Sequence, residues 1–176
     1  MNEAVVASEL DHVRQELAAK PDGVLEAVAS AHRLPLLNVV QCLPNTMWKQ
    51  VDGGHVIDVM QDISGWGAIT FIVHTRDAIV EFEGPLPGGT SGHGFYNLKG
   101  GGGLSGHLRA TNCRAIVFLR RPFMGTETLS VQFFNADGEA MFKIFVGRDE
   151  NRRLKTDQVE AFNRLEAKLT AVMERT

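Results

Sequence analysis

At Gly65-Trp66-Gly67 the spacing of the apolar residues changes period, and this change limits the possible folds more than any other feature of the chain. Before it, apolar positions recur at helical intervals. Val13 and Leu17 share one face, with Ser8 predicted as the N-cap and Asp11 near the positive helix end. Leu25, Val28 and Ala29 suggest a second short helix after the Pro21-Asp22-Gly23 break. Leu36, Leu37, Val39 and Val40 suggest a third, closed by Pro44, and Val56 to Ile63 a fourth.

After the change, alternation takes over. In GAITFIVHT, Ile69, Phe71 and Val73 fall on one face and Thr70, Ile72 and His74 on the other. AIVEFEG follows across Thr75-Arg76-Asp77, which predicts an antiparallel hairpin. PLPGGTSG reads as a loop, HGFYNLK and LSGHLRA as strands, and CRAIVFLR, apolar on both faces, as a central strand. Thr128 to Asn135 and Glu139 to Val146 flank Ala136-Asp137-Gly138, a hairpin signal. The C-terminus returns to helical spacing. Asp157 with Glu160 makes a capping-box-like start, and Val159, Phe162, Leu165, Leu169 and Val172 form a stripe. Helices, then about seven strands, then a helix define an α+β chain with an antiparallel sheet and disfavour a Rossmann sheet. The 176 residues suit one domain, with a helical part over about 8–63, a sheet over about 66–147 and a helix over about 157–174.

Composition narrows the function classes. A net charge of -3 argues against a strongly basic nucleic-acid binder. The first three helices have helix-turn-helix spacing, but PLLNVVQCL has no Lys or Arg with which to read bases or hold phosphates. Cys42 and Cys113 form no CxxC pattern and read as buried free thiols. The N-terminus lacks a basic start followed by an apolar run, and the longest apolar stretch is short of a membrane span. A soluble, cytoplasmic protein is expected.

Three features bear on chemistry. The run GHGFYNLKGGGGLSGHL fits neither a Walker loop nor a dinucleotide fingerprint, because β-like segments flank its glycines. It reads as a wide hairpin end, with the chain's only tyrosine, Tyr96, on one arm and His107 on the other. Among six histidines, His12 and His32 are expected to be solvated and His55 to lie in a loop. His74 and His107 lie in strands, where a neutral imidazole can ligate iron, act as a base or serve as a hydrogen-bonded structural group. Arg120-Arg121-Pro122-Phe123-Met124 and Val146-Gly147-Arg148 close strands with cations, which suit carboxylates at a pocket rim or simply face solvent.

The segments VHTRDAIVEF, HGFYNLKG with SGHL, RRPFMGTETLSVQFFNADGEAMFKIFVGRDENRRL and DQVEAF, with the earlier PDGVLEAVA and CLP, resemble the ChuX/HutX family of bacterial intracellular haem-utilisation proteins. The likeness runs from about Leu17 to Phe162. It implies a curved antiparallel sheet flanked by helices, related to the tandem HemS/ChuS proteins, and a homodimer. It implies a carrier, not an enzyme, that binds haem b reversibly and delivers it to a haem-degrading partner. The alternative is an oxygenase-like enzyme that opens the haem ring itself. By position in the family pattern, His74 and His107 are the candidate iron ligands. Tyr96 is a further candidate because tyrosinate also ligates haem iron. Arg121 and Arg148 fall where propionate-binding residues occur in the tandem relatives. Some relatives carry a histidine where this chain has Gly102. Phe71, Ile72, Phe95, Phe123 and Met124 are expected to help line an apolar slot.

Overall fold

A computed structural model describes residues 3–101 and 103–173; Gly102 and residue 174, where the last helix was expected to end, lie outside the described residues. Five α-helices and nine strands are described: α1 (Glu3–Ala19), α2 (Leu25–His32), α3 (Leu36–Gln41), β1 (Trp48–Asp52), α4 (Val56–Ile63), β2 (Ala68–His74), β3 (Ile79–Pro85), β4 (Gly89–Gly92), β5 (Phe95–Leu98), β6 (Gly106–Leu108), β7 (Ala115–Phe123), β8 (Thr126–Phe134), β9 (Ala140–Phe145) and α5 (Thr156–Met173). The strands form an antiparallel six-stranded sheet, in the order β1-β7-β8-β9-β2-β3, and a three-stranded sheet, β4-β5-β6. The class is α+β, as the order of periods required.

Alternation along the strands gives the large sheet two faces. One face buries Ile69, Phe71, Phe118, Val131, Phe133, Phe142 and Ile144 against α4, α5 and the small sheet. Phe133 and Phe142 stack at 4.3 Å, and Phe71 stacks on Phe142 at 5.2 Å. Between them the aromatic rings remove several hundred square ångströms of apolar surface from water, of order 25 cal/mol per Å². On the other face, α1, α2 and α3 cover only one end, where Val13, Leu17, Leu25, Val39 and Val40 pack on Val117, Leu119 and Phe134. The rest of that face is the floor of a groove.

Local chemistry sets the joints. The β8–β9 turn has Gly138 at φ +75, and a Cβ there would sit 2.8 Å from Pro35 Cβ. The backbone of Leu37 donates to the Gly138 carbonyl at 2.9 Å, so this turn also seats α3. Asn135 Oδ1 accepts from the backbone N–H groups of Asp137 and Glu139, both at 3.0 Å. The β7–β8 hairpin closes through Met124 at φ 49 and Gly125 at φ 77, the positive-φ pair that a two-residue hairpin favours.

Several sequence expectations are corrected. Ser8 lies inside α1, whose first described residue is Glu3, so it is not the N-cap. Among the described residues there are nine strands where about seven were expected: β1 lies within the stretch expected to be helical, and β4 lies within the expected PLPGGTSG loop. β1 has a single buried position, Val51, and its ladder with β7 fixes it. The small sheet recruits β4 by pairing it to β5, from Gly89↔Leu98 to Gly92↔Phe95. Asp157 falls within α5 and not at its cap. Phe162, Leu165 and Leu169 of the stripe are buried, whereas Val172 near the helix end is 46% exposed. His32 is not freely solvated. Its Nδ1 lies 2.8 Å from Glu9 and its Nε2 3.2 Å from Glu16, which ties α2 to α1. Both cysteines are free and buried, and burial lifts the Cys113 thiol to about 11.

Candidate functional site

The open part of the large sheet and the N-terminal turn of α2 enclose a groove of about 860 Å³. This is within the range of small-molecule sites. Its floor is unlike the opposite face. Ser130, Gln132 and Lys143 are among the few buried polar residues of the chain, at 2%, 3% and 7% exposure, and all three line it. They occupy strand positions that alternate with Val131, Phe133, Phe142 and Ile144. Gln132 Nε2 donates to Ser130 Oγ at 3.1 Å, while Gln132 Oε1 is buried without a protein partner. A buried acceptor of this kind costs free energy unless something binds it.

His74 ends β2 on the groove side, opposite Ile79 of β3, and its side chain is 21% exposed. Its Nδ1 lies 3.1 Å from Oε1 of Glu26, from the first turn of α2. The same oxygen takes the Lys143 ammonium. Burial opposes ionisation of Glu26, but the Lys143 charge and hydrogen bond override it and hold the carboxyl below the usual carboxylate range. Nε2 of His74 has no protein partner among the described residues and is available to a ligand.

The paired arginines of β7 are parted by alternation. Arg120 turns to the core face, where it bonds Glu166, donates to Asn163 at 2.7 Å and lies over Phe162 at 4.8 Å. Arg121 turns to the groove, donates to the Pro21 carbonyl and stacks over Phe123 at 5.4 Å. Burial pulls its pKa down, against the opposing pull of Glu26 and Asp22. Arg148 lines the far bank, donating to the carbonyls of Arg152 and Glu127. Asp149 shapes this bank by accepting from the backbone of Asn151 and Arg153, and Arg152 adopts φ 61 beside the groove. Met124, at the β7–β8 hairpin tip, lines the mouth and is 79% exposed.

Of the residues singled out by sequence, His74, Arg121, Arg148 and Met124 meet in the groove, and Tyr96 and His107 do not. Tyr96 points from β5 into the core and is 2% exposed, over Gly89, where a Cβ would meet its ring at 2.5 Å. Burial raises its pKa, and its hydroxyl has no side-chain partner, so a phenolate is disfavoured there. His107 lies on the outward face of the small sheet. Its Nδ1 is 2.6 Å from Asn97 Oδ1, and its ring stands edge-on to Phe95 at 5.7 Å. Arg109 covers Phe95 at 4.6 Å. The inner face of the small sheet, with Tyr96 and Leu98, packs on the core face of the large sheet. Stacked sheets stand about 10 Å apart. Both sheets therefore separate His107 from the groove that His74 lines. Among the residues expected to line a slot, Ile72, Phe123 and Met124 do so. Phe71 is in the core, and Phe95 is on the small sheet, corrections that follow from the facing of β2 and β5. Sequence reading missed Glu26, Gln132, Lys143 and Arg152. The polar residue within VQF and within FKI was the available signal for two of them.

The arrangement offers a free imidazole nitrogen above a mixed polar and apolar floor, with cations on two banks and Glu81 and Glu83 on a third. Such a groove suits a large planar ligand with a metal centre and carboxylate edges. The family model described as haem utilisation ChuX/HutX matches residues 49–165. The chain is 35% identical over 165 residues to the intracellular heme transport protein HutX of Vibrio cholerae, covering 93% of this chain and 86% of that one. Among solved structures, a protein from Erwinia carotovora is 48% identical with a TM-score of 0.86, covering 89% of this chain and 98% of the other. The heme binding protein ChuX is 44% identical with a TM-score of 0.82, covering 90% and 99%.

Proposed function

Because the chain belongs to the ChuX/HutX haem-utilisation family, we propose that it is a cytoplasmic carrier that binds haem b reversibly in the groove and passes it to a haem-degrading partner. The observation that carries this reading is His74, placed on the groove floor with Nδ1 beside Glu26 and Nε2 unengaged. His74 Nε2 ligates the haem iron. Arg121 and Arg148, on separate banks, bind the two propionates, with Arg152 beside the second. Ile72, Phe123 and Met124 contact the porphyrin edge and face. The open mouth leaves part of the ring accessible, which suits release to another protein. The chain acts as one domain and works as a homodimer. His107 and Tyr96 do not ligate this haem from within the same chain.

The test is titration of the purified protein with haemin, followed by absorption. Wild type gives a Soret band distinct from that of free haemin. His74→Ala shifts that band and weakens binding, while His107→Ala and Tyr96→Phe leave the band in place. No Soret change in wild type, or an unchanged spectrum for His74→Ala, overturns the assignment. Incubation of the complex with reductant under air separates carrier from enzyme: persistent haem supports the carrier, and a biliverdin-like product supports ring opening.

A further inference from the structure

We propose that Glu26 is a positioning residue for His74: it keeps the proton on Nδ1 and so presents Nε2 as the metal-binding nitrogen. This rests on the reading that haem binds in the groove. A neutral imidazole carries one N–H, and a carboxylate only accepts. The ring nitrogen nearest the carboxylate is Nδ1, at 3.1 Å from Oε1; by charge alone the negative carboxylate favours the hydrogen there over a lone pair, so the lone pair falls on Nε2. Glu26 is itself held. Lys143 of β9, 7% exposed, bonds the same Oε1, and Arg121 of β7 adds positive charge nearby. The two side chains in contact with Glu26 come from different strands of the sheet, His74 from β2 and Lys143 from β9, so the carboxylate is fixed relative to β2.

The consequence extends past orientation. A carboxylate on the far nitrogen of a metal-bound histidine makes the ligating nitrogen more basic, and losing such a partner typically lowers metal affinity about 10–100-fold. A more basic ligand favours ferric over ferrous iron. Glu26 stands on α2, outside residues 49–165 that match the family model. The N-terminal helices are thus part of the site and not only a lid on the hydrophobic end of the sheet.

The test uses the full chain with ¹⁵N-labelled histidine. In the apo protein at alkaline pH, long-range ¹H–¹⁵N correlation reports which nitrogen of His74 carries the proton. Wild type shows Nδ1–H. Glu26→Ala moves the proton towards Nε2. Glu26→Ala combined with Lys143→Met, which leaves no unpaired buried ammonium, does the same. In the haem complex both variants bind ferric haem at least about tenfold more weakly, with a midpoint potential more positive than wild type. An unchanged Nδ1–H tautomer in both variants overturns the positioning role, as does an unchanged potential. His74→Ala, titrated with haemin in parallel, decides the underlying reading separately. Undiminished ferric-haem affinity there removes His74 as ligand even when the tautomer depends on Glu26.

Discussion

The two faces of the six-stranded sheet are built from alternate residues of the same strands, yet they do different work. On β8 and β9, Val131, Phe133, Phe142 and Ile144 point to one side and are at most 2% exposed. Ser130, Gln132 and Lys143 point to the other and are almost as buried, but they are polar. The core face is satisfied by the chain itself: ring on ring, with α5 across it. The groove face is satisfied only in part. Lys143 has Glu26, whereas Gln132 Oε1 has nothing. A face that stabilises needs only apolar volume, while a face that binds must keep polar groups where a ligand can use them and must accept the desolvation cost. Burial alone would not have distinguished the two; the satisfaction of polar atoms does.

Substitutions on the two faces should break in different ways. Phe133→Ala opens a cavity between Phe142 and the rest of the core and should cost about 3–5 kcal/mol in denaturant unfolding. A cost near zero would mean that the aromatic stack is not the centre of the core. On the groove face, Lys143→Met removes the ammonium partner of the partly exposed Glu26 carboxylate, and should cost about 1–3 kcal/mol. Combining it with Glu26→Gln should recover most of that loss, which a double-mutant cycle measures. Arg121→Ala should weaken haemin binding about tenfold, near 1.4 kcal/mol. Arg120→Ala, turned to the other face, should leave haemin affinity unchanged and lower stability instead. Equal effects of the two on haemin affinity would contradict the partition by alternation.

The smallest effect lies away from both faces. His32 between Glu9 and Glu16 has its pKa raised above 6.5, chiefly by the Glu9 hydrogen bond, with burial opposing. A raised folded value means that the charged pairs stabilise fully below the unfolded pKa of about 6.5 and that this contribution fades as pH rises through the higher folded pKa. The wild-type melting temperature should therefore fall relative to that of His32→Gln as pH is raised from 6 to 8. The difference corresponds to less than about 1 kcal/mol, since the pairs are partly exposed. No difference in pH profile would show that the α1–α2 tie adds nothing.

Much of the fold is legible in the chain because its elements are long and strongly periodic. α4 at Val56–Ile63, the β2–β3 hairpin and the β8–β9 hairpin follow directly from apolar spacing and turn residues. The short strands are different. β1 and β4 have no pattern of their own and exist because β7 and β5 offer free ladder groups. In the site, His74, Arg121, Arg148 and Met124 were visible because each stands in or at the end of a periodic strand or in a long matched segment. Glu26 was not, since it is an ordinary acidic residue in the first turn of a short helix until α2 is folded against β2 and β9.

The sequence by itself therefore determined the α+β class, the antiparallel pairing and, in the strands it reveals, which residues share a face, because side-chain direction in a strand is fixed by counting in twos. Only the tertiary structure decided which face stays open, and that depends on how far α1 to α3 reach across the sheet. It also decided which candidates share a site. His74 and His107 look alike in sequence, each a histidine in an expected strand, yet two layers of sheet stand between the groove and His107. Contacts over long sequence separations, such as Lys143 with Glu26, are set by packing, and no local spacing encodes them.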